Sequence, residues 1–308
     1  MSLEAAPEAP AGAALPVSGL RRLGQGARLL VVSVGAALAY LARRRIGVPL
    51  PRLGFAGRWE ALALALLAAG LVAAAMILVD PLVPGLRLKL PGWLVTLSER
   101  ITDLGFSGVV LWPLGIALAY ALLLTHAGDA ATRRIAAAFA ARVGFLFLAI
   151  APVGLGVALF KHLLGRARPY AALHLPGPNP EMTFQFLGWK SSFASFPSGH
   201  STTTLAMAVA FAALFPRARG ILLALAVPVV ATRVVLGSHY PSDVIAGAAI
   251  GAGFALWMIR VFAARRLVFR VDSQGGIAPM AGPSARRLGR LLPRAPSSPA
   301  VPAEEARP

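Results

Sequence analysis

Long apolar runs dominate the chain and predict membrane-spanning helices. A helix needs about 20 apolar residues to cross the hydrocarbon core of a bilayer. Six runs approach that length: 61–79, 106–125, 143–160, 200–215, 221–236 and 244–263. The fourth and fifth runs are short, but they flank a turn at 216–220, which is typical of a helical hairpin. The pattern predicts an all-α fold, a polytopic membrane helical bundle with about six transmembrane helices.

A shorter apolar stretch at 29–42 precedes these runs and is followed by three consecutive arginines. Its length falls below the spanning requirement, so we interpret it as an interfacial segment. A cleaved signal peptide is the alternative, but no small-residue cleavage site follows the stretch. The chain is therefore predicted to have three parts, which are an N-terminal cytoplasmic tail containing this segment (1–60), a six-helix membrane domain (61–265) and a disordered basic C-terminal tail (266–308).

The basic residues lie on one side of this six-helix arrangement. The chain is 57% hydrophobic and 14% charged, with a formal net charge of +18. Arginines concentrate in four regions that share one side: 1–60, 127–134, 216–220 and the tail after Arg260. That side is predicted to be cytoplasmic, so the loops 80–105, 161–198 and 237–243 should face outward. The charge favours anionic membrane lipids, rather than nucleic acid, as the partner of the tails, and no protein partner can be inferred.

A first polar cluster lies at the outward end of the third run, in the sequence Lys161-His-Leu-Leu-Gly-Arg-Ala-Arg168-Pro169. A helical continuation would place Lys161 and Arg168, which are seven residues apart, on one helix face. The two cations would then converge on one anion. Snorkelling of basic side chains toward lipid headgroups explains the same pattern. We expect it for Arg166, for which joining the phosphate site is the alternative.

A second cluster, Pro197-Ser198-Gly199-His200, comes directly before the fourth apolar run. Free backbone N–H groups and the positive end of the helix dipole make such a helix N-terminus a ready anion site. Gly199 lets an anion approach the backbone closely, Ser198 adds a hydroxyl donor, and His200 can protonate a leaving oxygen. A simple capping segment with an incidental histidine is the alternative.

A third cluster, running from Arg233 through His239 to Asp243, joins the fifth and sixth runs. Pro241 suits the first turn of the sixth helix, so His239 should lie just before that helix. Asp243 can then accept a hydrogen bond from the imidazole and leave the other ring nitrogen free to attack. A structural histidine–aspartate hydrogen bond is the alternative, but Arg233 near the end of an apolar helix also needs a partner.

Together the three clusters closely resemble the three-part signature of the type 2 phosphatidic acid phosphatase and vanadium haloperoxidase superfamily. The matching segments are Lys161-x6-Arg168-Pro169, Pro197-Ser198-Gly199-His200 and Arg233-x5-His239-x3-Asp243. One departure is Thr232 before Arg233, where the family usually has serine, although the hydroxyl is kept. The resemblance covers 161–243 at the level of motifs and the six-helix pattern more loosely.

The resemblance implies a role for each residue of the signature. His239 attacks the phosphorus, Asp243 orients His239, and His200 protonates the leaving group. The residues that hold the phosphate oxygens are Lys161, Arg168, Ser198, Gly199 and Arg233. Physical chemistry agrees, since phosphoryl transfer needs stabilisation of charge on the equatorial oxygens and an in-line nucleophile. The only acids between 161 and 243 are Glu181 and Asp243, too few for a two-metal site, so no metal or other cofactor is expected.

These features favour a multi-pass enzyme of the cell membrane, typical of the bacterial cytoplasmic membrane, that hydrolyses a lipid phosphate or polyprenyl diphosphate at the outer face. The candidate substrates are phosphatidate, phosphatidylglycerol phosphate, undecaprenyl diphosphate and lipid A, and the sequence does not choose among them. A phosphotransferase or a vanadate-dependent haloperoxidase would use the same anion site. A non-enzymatic transporter or scaffold is disfavoured by the intact His239, His200 and Asp243. The sequence has no cysteine, which excludes thiolate catalysis and disulfides.

Several aromatic residues and histidines fall outside the signature. His126, His162 and His174 are interpreted as interfacial rather than catalytic. The loop 170–196 carries Phe184, Phe186 and Trp189, which predict an interfacial aromatic anchor. A lid that contacts the substrate is the alternative for this loop.

Overall fold

The computed structural model of the protein describes residues 17–44, 58–273 and 275–292. The helices are α1 (Val17–Arg43), α2 (Arg58–Leu78), α3 (Leu86–Lys89), α4 (Gly92–Thr102), α5 (Ser107–Leu124), α6 (Ala130–Leu164), α7 (Pro169–Ala172), α8 (Gly199–Leu214), α9 (Arg219–Val235), α10 (Pro241–Ala264) and, after the strands β1 (Phe269–Val271) and β2 (Ile277–Pro279), α11 (Ala285–Leu288). Short 3-10 turns at Asp80–Leu82, Asp103–Gly105, Pro180–Met182, Ser191–Phe193, Pro216–Ala218 and Gly289–Leu291 connect them.

The helical membrane fold is confirmed, although the set of spanning helices differs from the prediction. Within the described residues, six segments are long and apolar enough to cross a membrane: Gly24–Arg43, Trp59–Leu78, Gly92–Leu124, Ala130–Leu164, Pro216–Val235 and Pro241–Ala264. The predicted run 200–215 corresponds to α8, which has only 16 residues. Its first turns carry serine and threonine side chains that are buried inside the protein, so this helix is made for the interior rather than for contact with lipid.

Helix α1 forms a compact unit of its own and is longer than the apolar stretch that predicted it. It has 27 residues and begins at Val17, well before the apolar stretch. The segment Gly24–Arg43 is therefore long enough to span, whereas 29–42 alone is not. Its interfacial placement stays a prediction. The predicted tail residues 1–16 and 45–57 lie outside the described residues.

In the remaining unit, α8 packs against α10, α9 and α6, and α10 also contacts α2. Two glycines of α10 make the contact with α8 possible. A Cβ atom on Gly247 would lie 2.3 Å from the carbonyl oxygen of Ser198, and one on Gly251 would lie 2.1 Å from that of Thr202. Small residues at four-residue spacing allow such close backbone approach between membrane helices. This contact sets the start of α8 directly beside the start of α10.

The segment after α10 is folded, which differs from the predicted disordered tail. Strands β1 and β2 pair antiparallel, and Phe269 packs edge-on against Phe145 of α6 with ring centroids 4.9 Å apart. Arg142 of α6 donates to the carbonyl oxygens of Met280 and Ala281 at 2.9 and 2.8 Å. Three-residue strands are too short to leave a periodic pattern, so the sequence did not reveal them. Residues 293–308 of the predicted tail lie outside the described residues.

The segment between α2 and α5 was predicted to be an outward loop, and it contains α3 and α4. Helix α4 packs against α9. The 3-10 turn that begins at Asp80 follows the end of α2, and the carboxylate of Asp80 is fully buried. A lone acid buried at the end of an apolar helix requires a cationic or hydrogen-bonding partner.

Candidate active site

The first motif cluster does not continue helix α6 as predicted. The helix ends at Leu164, and Gly165 adopts the left-handed conformation with φ of 62°. The chain therefore turns, and Arg168 lies in extended backbone just before α7. Lys161 and Arg168 still lie within electrostatic range of each other. The two cations come together through a turn rather than along one helix face.

The second motif cluster is the helix N-terminus that the sequence predicted. Ser198 is the N-cap of α8, and its Oγ accepts from the backbone N–H of Ser201 at 3.4 Å. The N–H of Ser198 donates to the carbonyl oxygen of Asp243 at 3.0 Å, which ties this cluster to the third. A Cβ atom on Gly199 would meet only Val157, at 3.9 Å, so there is open space next to this backbone. Such a terminus offers free N–H donors to an anion.

His239 and Asp243 are neighbours at the start of α10. The Nδ1 atom of His239 lies 3.5 Å from Asp243 Oδ2, longer than a well-formed hydrogen bond. That oxygen already accepts from Ser195 Oγ at 2.5 Å and from the N–H of Tyr240 at 2.9 Å. The other oxygen, Oδ1, accepts from Arg166 at 2.7 Å. Asp243 is held from three sides, and catalytic contacts of this kind often tighten once substrate binds.

The electrostatic surroundings of His239 favour a neutral imidazole. Burial lowers its pKa from 6.5 to about 4; Asp243 raises the pKa, and the positive charges of Arg168 and Arg233 lower it further. The ring is therefore unprotonated at neutral pH. With Nδ1 facing Asp243, Nε2 is the nitrogen that offers its lone pair if His239 is the predicted nucleophile.

Arg166 is fully buried and bonded to two carboxylates, so the predicted snorkelling is wrong. Its Nη1 donates to Asp243 Oδ1 at 2.7 Å, and its Nη2 donates to Asp80 Oδ2 at 2.8 Å. Ser242 accepts from Arg166 Nη1 at 2.7 Å and donates to Asp80. The guanidinium carbon lies 4.3 Å from the centroid of the Tyr240 ring. One buried cation is therefore shared by two buried carboxylates. A side chain that snorkels toward the headgroups could not make these two contacts.

Thr102, at the end of α4, contacts two of the predicted site residues. Its carbonyl oxygen lies 2.7 Å from Nε2 of His200, and its Oγ1 accepts from Arg233 Nη1 at 2.8 Å. A carbonyl can only accept, so His200 Nε2 carries a hydrogen and Nδ1 is the nitrogen available for proton transfer. The segment before α5 thus orients a predicted acid and a predicted phosphate-binding cation together.

Two of the predicted phosphate-binding cations have buried donors to spare. Among the described residues, no hydrogen-bond acceptor lies next to the Nε atoms of Arg168 and Arg233. A buried guanidinium donor without an acceptor is costly, and an anionic ligand would satisfy it. The part of the chain that the structure describes contains no group of three His, Asp or Glu side chains that could hold a metal ion.

Four residues of this site were not found from the sequence: Asp80, Thr102, Ser195 and Ser242. Asp80 did carry a signal, since it is a single acid directly after a long apolar run. The other three are ordinary small polar residues in polar segments, and no sequence pattern distinguishes them. Of the histidines outside the signature, His174 is exposed and His162 stacks on Trp189; their interfacial placement stays a prediction.

Comparison with known proteins identifies the family. Residues 142–267 match the model of the PAP2 superfamily. The lipid A 1-phosphatase of Rhizobium johnstonii is 39% identical over 254 residues, which cover 80% of this chain and 94% of that protein. The lipid A 1-phosphatase of Rhizobium etli is 37% identical over 196 residues, covering 64% of this chain and 74% of that protein.

A shorter match is with the lipid A 4'-phosphatase of Bacteroides thetaiotaomicron, which is 34% identical over 115 residues, 37% of this chain and 49% of that protein. No solved structure matches the chain significantly. The family match includes all three motif clusters, and the match to the R. johnstonii protein extends over nearly all of that protein. The chain therefore belongs to the PAP2 superfamily, as a multi-pass membrane enzyme that hydrolyses phosphoric esters of lipids.

Proposed function

We propose that this protein removes the 1-phosphate of lipid A through a phosphohistidine on His239. The observation that carries the mechanism is the buried, neutral His239 beside two guanidinium groups, Arg168 and Arg233, whose Nε donors have no acceptor among the described residues. The substrate is supported by two relatives that are named lipid A 1-phosphatases and that align with most of their length.

In the proposed first step, Nε2 of His239 attacks the phosphorus in line with the sugar oxygen that leaves. The new P–N bond forms as the P–O bond to the sugar breaks, and the electron pair of that bond goes to the leaving oxygen. Arg168, Arg233 and Lys161 stabilise the charge on the equatorial oxygens, together with the N–H groups at the start of α8. Water then attacks the phosphorus, releases phosphate and restores His239.

The leaving oxygen needs a proton, and we assign this proton to His200. Its Nε2–H is engaged by the carbonyl of Thr102, so the transferred proton comes from Nδ1 of the protonated ring. Burial lowers the pKa of His200, so the negative charge of the bound phosphate must stabilise that protonated form. In the second step the same nitrogen accepts a proton from the attacking water. His200 thus returns to its starting state after each turnover.

We also propose that the site opens on the outer side of the membrane. The motif clusters gather near Leu164, at one end of α6, whereas the arginine-rich C-terminal segment contacts Arg142 of the same helix. These points are separated by roughly 33 Å of helix, close to the thickness of the hydrocarbon core of about 30 Å. Basic segments favour the cytoplasmic side, which supports an outward-facing site at the opposite end.

A purified-protein assay against a lipid panel tests the substrate. We expect kcat/KM for lipid A to exceed that for phosphatidate, phosphatidylglycerol phosphate and undecaprenyl diphosphate by about tenfold or more, because the headgroup contacts differ. Mass spectrometry should show loss of the 1-phosphate and no transfer to added alcohols, and chelator should leave the rate unchanged. A preference for another lipid, or dependence on added metal, would contradict the proposal.

Thr102→Val is expected to lower kcat/KM by about tenfold or more. The substitution removes the hydroxyl that accepts from Arg233 and keeps the carbonyl that holds His200. Hydrogen bonds that involve a charged group contribute about 1.5–3 kcal/mol, so the phosphate-binding cation should lose its orientation. The inhibition constant for vanadate, a phosphate analogue, should rise in parallel. Thr102→Ser keeps the hydroxyl and should recover most of the activity; equal losses in both variants would argue against an orienting role.

A further inference from the structure

An exposed apolar surface lies next to the first motif cluster and has no role in the mechanism above. We define it as the acyl surface, made by Phe186, Leu187 and Trp189 of the loop after the 3-10 turn Pro180–Met182. Their exposed fractions are 69%, 67% and 75%. Neighbouring large apolar residues that the rest of the protein leaves uncovered are a sign of an interaction site.

The acyl surface continues an exposed apolar stripe of the membrane-spanning helix α6. Leu155, Leu159 and Leu163 recur every four residues along α6 and are all at least half exposed. Leu163 is bonded directly to the loop, because its carbonyl oxygen accepts from the N–H of Leu187 at 3.1 Å. The hydrophobic stripe thus passes from the membrane-spanning helix onto the loop without a polar break at this junction.

The backbone of the loop is held firmly against the segment that carries the phosphate-binding arginine. The N–H of Gln185 donates to the carbonyl of Gly165 at 2.7 Å, and the N–H of Ala167 donates to that of Thr183 at 2.9 Å. A Cβ atom on Gly165 would lie 1.7 Å from the Gln185 carbonyl oxygen, so only glycine allows this approach. Arg168 is one residue beyond Ala167. The acyl surface and the phosphate-binding cation are therefore parts of one paired segment.

The side chains of the acyl surface are fixed rather than loosely exposed. Trp189 stacks on His162 with ring centroids 5.1 Å apart, and Nδ1 of His162 lies 3.2 Å from the Gly188 carbonyl oxygen. Leu187 adopts φ of 59°, a left-handed conformation that residues with a Cβ seldom adopt. Residues held in such unfavourable backbone conformations cluster at functional sites.

We propose that the acyl surface binds the hydrocarbon chains of the lipid substrate, so that the enzyme selects phosphates carried by long-chain lipids. The inference rests on the phosphate being cleaved at His239, since the paired segment places the surface beside that site. It does not depend on whether the lipid is lipid A. The binding would contribute affinity only for substrates whose chains are long enough to reach from the phosphate to the loop.

Two phosphatidates with the same headgroup test this directly. The double variant Phe186→Gln/Leu187→Asn is expected to lower kcat/KM for dioleoylphosphatidate by about tenfold or more, and to change that for dihexanoylphosphatidate by less than about twofold. Asparagine tolerates positive φ, so the loop backbone should be kept. The control is Leu88→Gln, another exposed leucine, on α3, which should leave both rates unchanged.

Two other outcomes of the phosphatidate test would contradict the inference. Equal losses on both phosphatidates would mean that the loop positions the catalytic residues, and no loss on either would mean that the acyl surface does not meet the substrate. Lack of preference for lipid A, with the chain-length effect intact, would reject the proposed substrate but keep the acyl surface.

Discussion

Replacement of His239 by alanine is expected to reduce phosphate release by about 10⁴-fold or more, because in the proposed mechanism this residue forms the covalent intermediate. Burial keeps the imidazole of His239 neutral, and the positive charges of Arg168 and Arg233 lower its pKa further. The measurement is kcat/KM on a lipid phosphate in detergent micelles. Wild-type protein quenched with alkali during turnover should carry labelled phosphate that is lost in acid, as expected for a phosphohistidine.

Exposed His174 is the matched control for this experiment. His174→Ala should release phosphate at the wild-type rate, since the side chain lies outside the motif clusters and faces solvent. Both variants should elute from size exclusion as the wild type does. Release by His239→Ala within tenfold of the wild type, or labelled phosphate on that variant, would exclude His239 as the nucleophile.

Asp80→Asn is expected to lower kcat by about 10- to 100-fold while KM and vanadate inhibition change little. Asp80 pairs with Arg166 rather than with the proposed phosphate-binding cations, and Arg166 in turn pairs with Asp243 beside His239. Loss of its charge leaves Arg166 free to shift toward Asp243, and networks of this kind lose more than one bond when one member changes. A split between kcat and KM identifies a positioning residue.

Arg166→Ala should have a larger effect and should destabilise the protein by about 3–5 kcal/mol, because two buried carboxylates lose their shared cation. Arg166→Lys should not restore activity, since a single ammonium cannot reproduce the fork that joins Asp80 to Asp243. These variants are compared by thermal unfolding in detergent together with kcat on the folded fraction.

Glu99→Gln is the matched control for the buried acid. Glu99 pairs with Arg87 at 2.7 Å, but both side chains are about half exposed, so the pair contributes little to stability or catalysis. We expect kcat within about twofold of the wild type. If Asp80→Asn lowers the melting temperature and leaves kcat of the folded protein unchanged, Asp80 is structural and does not position Asp243.

The helices could be predicted from the sequence wherever a long apolar run specified them. They were least predictable where tertiary packing decided the length and the surroundings of a helix. Helix α8 illustrates the difference. Its run was predicted as a spanning helix, yet it has 16 residues and buries a polar first turn against the glycines of α10. Hydropathy measures the average character of a segment and does not show which neighbour covers it. The hairpin β1–β2 was missed for the complementary reason, since three residues carry no measurable period.

By itself, the sequence determined the three motif clusters, the family and the polytopic fold. Each motif is a short contiguous segment whose chemistry is local, so the cap at Ser198 and the start of α10 at Pro241 followed from residue type and spacing. The turn at Gly165 was the exception. The sequence predicted that the helix would continue there, but α6 ends before this left-handed glycine.

Only the tertiary structure decided which residues support those motifs. Asp80 and Arg166 are 86 residues apart in the chain, and Thr102 and Arg233 are 131 apart, yet each pair forms a direct hydrogen bond. Such pairs arise because α2 and α6 both pack against α10 and because α4 packs against α9. Packing partners are not encoded in the period of one segment. Arg166 therefore looked like a surface residue in the sequence and is a buried link between two carboxylates in the fold.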